Sequence, residues 1–145
     1  EGHYLAKTPS SAIEASVVAY RLLALAQDAS AGGREGTPLA ARVRELVGLN
    51  IDNPQLNVSW LADELGRNRS GLLRAFKRET GATIVGHITQ MRIRKAQGPL
   101  ANEPDLTVRD VAAACGYADP DYFCRVFRQI TAARPSTYRR DRQRR

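Results

Sequence analysis

From Thr37 onward apolar residues fall at three- and four-residue intervals, and no segment sustains the alternation of a half-buried strand between hairpin turns. Leu39, Val43, Leu46 and Val47 make the first stripe, with Thr37 as N-cap and Pro38 at the first helical position. Asn57 is placed to cap a short helix over 58–65 that Gly66 ends. Asn68 caps a longer one over 69–80, ended by Gly81. Ile84, Ile88, Met91 and Ile93 mark a basic helix over 84–97, which Gly98 and Pro99 are expected to stop. Thr107 caps 108–115, ended by Gly116. Asp119-Pro120 opens 120–131, and Pro135-Ser136 starts a last short turn of helix. Upstream, Ser11 and Glu14 have capping-box spacing before an apolar helix to about Asp28, and the stretch from Ala31 to Gly36 reads as a flexible linker.

The pattern repeats. Leu56, Val58, Ala62 and Gly66 recur as Leu106, Val108, Ala112 and Gly116, at an offset of 50, and Arg74 and Phe76 recur as Arg125 and Phe127, at 51. Each copy reads short helix, glycine, tight turn, longer helix, which is helix-turn-helix architecture. The predicted fold is all-α. Two helix-turn-helix subdomains, about 57–81 and 107–132, are joined by a linking helix over 84–97, within a domain spanning 37–145. An extra N-terminal helix and flexible linker over 1–36 precede them. Val58, Leu61, Leu65, Leu72, Phe76, Val108, Val111, Phe123, Phe127 and Tyr138 are the expected core, with Trp60 half exposed on a supporting helix.

Charge sharpens this picture. The 145 residues carry a formal net charge of +7. Residues 67–95 alone hold eight basic side chains and one acidic, as do residues 125–145, and an acidic block at 96–124 separates them. A generic solvated surface mixes its signs; two basic blocks, each opened by the second helix of a repeat, suit two polyanion-facing surfaces. No apolar run reaches membrane-spanning length, and the chain opens at Glu1 without a secretory leader, as expected of a piece of a longer cytoplasmic protein. Enzymatic readings fare poorly. His3 and His87 lie in no catalytic or metal-binding motif, and two cysteines cannot build a zinc site, so neither cofactor nor metal is expected. Cys115 reads as a small buried hydrophobe, and Cys124 as an exposed thiol whose pKa nearby phosphate could lower.

These residues resemble the DNA-binding domain of the AraC/XylS family of bacterial transcription regulators. The likeness runs from about Thr37 to Arg140. It is densest in Leu61-Ala62-Asp63-Glu64-Leu65-Gly66, in Arg74-Ala75-Phe76-Lys77-Arg78-Glu79-Thr80-Gly81, and in Arg92-Ile93-Arg94-Lys95-Ala96. In the second unit it follows Asp121-Tyr122-Phe123-Cys124-Arg125-Val126-Phe127-Arg128 and Pro135-Ser136-Thr137-Tyr138-Arg139. The resemblance implies two recognition helices reading successive major grooves on one face of double-stranded DNA, in a transcription regulator that also touches RNA polymerase, at the bacterial nucleoid; an activator is one expectation, with repression left open. Gly98-Pro99 and Ala132 depart from the family pattern, the first suggesting a linking helix cut short and subdomains left mobile. The family's ligand-sensing domain has no counterpart in this sequence. Residues 8–30 resemble the helix that usually ends it, and a homodimer contact is one expectation for them.

Arginine's planar fork matches guanine O6 and N7, so Arg74 and Arg125 lead as base readers. Arg69, Ser70 and Leu73 accompany the first, and Asp121 and Cys124 the second. An internal ion pair is the plain alternative for either arginine; Leu73 could equally be core, and Asp121 could instead cap its own helix. Lys77, Arg78, Arg94, Lys95, Arg128, Arg139 and Arg140 read as phosphate contacts. Arg92, between Met91 and Ile93, suits an internal role at least as well, and the tail from Arg139 is expected to be disordered. The competing reading from another class is a protein-interaction module of the same fold with only weak, non-specific DNA binding.

Overall fold

A computed structural model describes residues 38–144. The expected N-terminal helix, its linker and the Thr37 cap lie outside the described residues. Among these are seven helices and no strand: α1 (Leu39–Leu49), α2 (Val58–Glu64), α3 (Arg69–Thr80), α4 (Ile84–Asn102), α5 (Val108–Ala114), α6 (Pro120–Thr131) and α7 (Pro135–Gln143).

Local chemistry sets most of the boundaries. Asn57 accepts from the Trp60 amide and Asn68 from the Gly71 amide, and Thr107 with Asp110 forms a reciprocal capping box. Pro38 is the N-cap of α1 rather than its first residue and supplies no side-chain bond. An early amide of that helix, Ala40 N–H, donates instead to Glu79 Oε2 at 2.9 Å, from the last turn of α3.

Two expectations about helix ends are corrected. The linking helix does not stop at Gly98-Pro99 but runs through to Asn102. Proline removes one backbone bond and costs about 3 kcal/mol inside a helix. Against that, Ala96 and Leu100, on either side of Pro99, are wholly buried, and sinking a leucine returns about 1.5–3 kcal/mol. Nor is the chain from Arg139 irregular: α7 is a nine-residue helix reaching Gln143, packed against α4.

The core lies in two clusters that share α4. Val43, Val47, Leu61, Leu72 and Phe76 surround Ile84 and Ile88 from its first half. Val111, Cys115, Phe123 and Phe127 surround Ile93, Ala96 and Leu100 from its second half. Phe123, Phe127 and Tyr138 form an aromatic ladder with centroids 5.5–5.6 Å apart. Leu65, Val108 and Tyr138 are only partly buried at the margins of their clusters.

The repeat extends to hydrogen bonds. Gly66 and Gly116 both have positive φ, 61° and 83°. After them Arg67 N–H donates to Ala62 O and Tyr117 N–H to Ala112 O, at 2.9 and 3.0 Å. The caps that follow are Asn68 and Asp119, so Ala118 is the residue by which the second turn is longer. At the far ends of α3 and α6, the hydroxyls of Thr80 and Thr131 sit within bonding distance of the Phe76 and Phe127 carbonyls. The C-caps are Gly81 at φ 74° and Ala132 at φ 62°. By the same offset the start of α4 answers to the start of α7.

Candidate nucleic-acid interface

The second helix of each unit is held by a hydrophobic seam, which leaves its opposite face to solvent. On α3 Leu72 and Phe76 are buried, while Arg69, Ser70, Arg74, Lys77 and Arg78 are exposed. Leu73 is partly buried and packs against the first core cluster, so its side chain is shared between core and rim. On α6 Phe123, Val126 and Phe127 are buried, and Asp121, Arg125 and Arg128 are exposed. Among the described residues neither Arg74 nor Arg125 is in an ion pair, the plain alternative for both. The Arg125 guanidinium instead stacks 5.8 Å from the centroid of the exposed Tyr122 ring. By the offset of 51, Arg74 and Arg125 hold the same place in the two units, as do Lys77 and Arg128.

The two helix tips differ in charge. The first turn of α3 carries no acid and is capped by neutral Asn68, leaving the positive end of the helix dipole uncompensated. On α6 the N-cap is Asp119, whose carboxylate accepts from the Asp121 amide. The cap expected of Asp121 therefore falls to Asp119, because Asp119 precedes the first helical residue, Pro120. Asp121 remains exposed in the first turn.

A groove of about 410 Å³ opens beside α6, lined by Val108, Cys124, Arg125, Arg128, Arg134, Pro135 and Ser136. Three of the seven are arginines. Arg134 escaped the sequence reading, although its equivalence to Thr83 at the start of α4 could have marked it. Cys124 is partly buried rather than exposed. Burial, and then Asp121, raise its thiol pKa while Arg134 opposes them. A phosphate beside it, being anionic, would raise it further, so the lowering expected from phosphate is corrected. Cys115 is buried, and burial raises its thiol as well.

The remaining cations are dispersed. Arg94 and Lys95 are exposed on α4. Burial lowers the pKa of His87, and the charges of Arg44 and Arg94 lower it further. Arg139 is half-buried, and its Nε and Nη2 are enclosed without a hydrogen-bond partner. Arg140 lies 3.9 Å from Asp141, both well exposed. Arg92 is internal. Its Nε donates to Ile51 O at 3.1 Å and its Nη2 to Asn53 O at 2.7 Å. Among the described residues no group of His, Cys, Asp and Glu could hold a metal ion, and no helix is long and apolar enough to cross a membrane.

A family profile described as "Helix-turn-helix domain" matches residues 61–141. The chain is 31% identical over 113 residues to the uncharacterized transcriptional regulatory protein YesN of Bacillus subtilis (strain 168), covering 77% of this chain and 31% of that protein. It thus spans under a third of that relative's length. Among solved structures, it is similar to the DNA-binding domain of the global transcriptional factor AdpA in complex with a target DNA. There the TM-score is 0.68 and the identity 29%, over 76% of this chain and 97% of that one. A probable AraC family transcriptional regulator from Rhodopseudomonas palustris CGA009 shares the fold, with TM-score 0.63 and 23% identity over 72% of this chain and 92% of its own.

Proposed function

The chain belongs to the AraC/XylS family of transcription regulators, a family of DNA-binding proteins rather than enzymes, and on that premise we propose that it reads two successive major grooves of one duplex with α3 and α6. The observation that carries this reading is the equivalence of Arg74 and Arg125. Both are exposed, neither is in an ion pair among the described residues, and each holds the equivalent place on the second helix of its unit, although in the second unit the turn before that helix is longer and its cap acidic. Each arginine takes a guanine edge through its planar fork. Arg69, Ser70 and Leu73 flank the first contact, with the Leu73 rim against a thymine methyl; Asp121 and Cys124 flank the second. Lys77, Arg78, Arg94, Lys95, Arg128, Arg139 and Arg140 meet phosphates, which fix register without reading sequence.

The acidic tip of α6 and the uncompensated tip of α3 make the two halves chemically unequal, and the site they read is asymmetric. Bound at a promoter in the bacterial cytoplasm, the protein contacts RNA polymerase and activates transcription. Residues 1–36, which lie outside the described residues, form a region of their own in the sequence, and 8–30 supply a homodimer contact.

Selection of bound sites from a random duplex library at near-physiological salt tests the proposal. The expected motif has two informative blocks about one turn (roughly 34 Å) apart, bound at least ~10³-fold tighter than scrambled duplex. Arg74→Ala and Arg125→Ala should each cost about 1–3 kcal/mol and relax specificity within their own block. No enriched motif, with affinity collapsing as salt rises and both variants merely trimming it, would refute the reading in favour of a protein-interaction module.

A further inference from the structure

Arg92 stands where the linking helix passes from one core to the other. Ile88 and Met91 before it pack in the first cluster, and Ile93 after it is buried in the second. Its two carbonyl acceptors, Ile51 O and Asn53 O, lie in the turn between α1 and α2 and so belong to the first unit. Its guanidinium carbon lies 5.6 Å from the centroid of Tyr117, a buried ring in the turn of the second unit. The two turns nearly touch. A Cβ on Gly116 would come 2.6 Å from Ile51 O and 2.9 Å from Arg92 Nε. None of this belongs to the repeat: at the matching place in the first unit Gly66 has open space around it, and Arg67, in the position of Tyr117, is exposed.

We propose that Arg92 is a positioning residue for DNA recognition, clamping the second helix-turn-helix onto the first and thereby setting the separation of operator blocks that the protein accepts. Arg92 itself touches no DNA. Apolar contacts along α4 are non-directional and leave room for one unit to pivot about the helix. A rigid planar fork bonded to two carbonyls, with an aromatic ring near its carbon, removes that freedom. Burial pulls the Arg92 pKa below its ordinary value, yet a guanidinium stays cationic at neutral pH, so the clamp is permanent rather than a switch.

The inference rests on the two-groove reading, and the experiment separates the two. The full chain is compared with Arg92→Met, which keeps length but removes every donor, and Arg92→Lys, which keeps charge but not the fork. Each is titrated against the selected duplex, against duplexes with one to three base pairs inserted or deleted between the blocks, and against a single block. Rigidly held units should favour the native spacing by ~10²-fold, and loosely tethered ones far less. Arg92→Met should cut the preference below ~10-fold and leave single-block binding within ~2-fold. Arg92→Lys should fall between, and it decides the matter if Arg92→Met fails to give a cooperative melt. A DNA-free measurement accompanies these: spin labels on Ser70→Cys and on native Cys124, with Cys115 buried and unlabelled, should give a broader distance distribution in either variant.

Wild-type spacing preference and distance distribution in the folded variants would overturn the role of Arg92 while leaving two-groove reading intact. Indifference of the wild type to spacing would overturn two-groove reading, and this inference with it.

Discussion

Replacing Ala132 by glycine should stabilise the DNA-binding unit. Ala132 is the only non-glycine with positive φ among the described residues, at φ 62° and ψ 4°. Its amide closes α6 by donating to Arg128 O at 2.9 Å, and its methyl is exposed, so truncation removes no packing. Gly81 does the same for α3 at φ 74°, donating to Lys77 O at 2.8 Å. An L-residue in this conformation costs about 1–2 kcal/mol, while glycine adds about 0.5–1 kcal/mol of unfolded-chain entropy to be overcome. The balance favours Ala132→Gly by about 0.5–1 kcal/mol. For a unit of this size that raises Tm by about 2–8 °C. The reciprocal Gly81→Ala should lose about 1 kcal/mol. Circular-dichroism melts and urea midpoints of both variants measure the pair. A midpoint for Ala132→Gly at or below wild type would refute the reasoning, because it would mean that the end of α6 is held by something other than its backbone cap.

Burial raises the Tyr117 phenol from 10.0 to about 12. Its contribution is whole below pH 10 and is lost as pH climbs through 12, about 3 kcal/mol in all, of which about 2 is gone by pH 11.5. Urea melts at pH 9 and 11.5 should show that loss in the wild type and not in Tyr117→Phe. His87 behaves oppositely. Its pKa is lowered from 6.5 by burial and then by Arg44 and Arg94, so its contribution is full above pH 6.5 and falls away as acid protonates it. His87→Phe, which keeps a ring against Phe76, should flatten the acid limb of the stability–pH curve. Glu79→Ala should lose about 0.5–2 kcal/mol, the worth of a helix cap, whereas Glu79→Gln keeps an acceptor for Ala40 N–H and most of that stability; urea midpoints read both.

Where a structural decision is local, it is legible in the sequence. Asn57, Asn68 and Thr107 act on amides three residues on, and the side chain alone announces the role; Asp119 is legible as the start of α6, though the sequence offers its capping role to Asp121. The exposure of Arg74 and Arg125 was legible through the repeat, because equivalent places in two copies share one face. Decisions made across the fold were not. Pro99 reads as a stop, and only the burial of Leu100 in a distant core carries the helix past it. The charges of α7 read as a disordered tail, although the helix packs against α4. Glu79 caps a helix 39 residues earlier, and Arg92 bonds two backbone carbonyls, which carry no residue identity and hence leave no motif. Leu73 divides between core and rim, a choice that periodicity cannot make.

The paired glycines of the two turns have unequal futures. Gly66 answers only to its backbone angle, a demand that asparagine also meets at small cost. Gly116 answers to its angle and to the carbonyl and guanidinium pressed against it, which no side chain satisfies. Mutation can wander at the first turn and not at the second. The same inequality reaches the bench: the first motif's turn can be exchanged as a cassette, whereas transplanting the second requires the α1–α2 turn and Arg92 to travel with it.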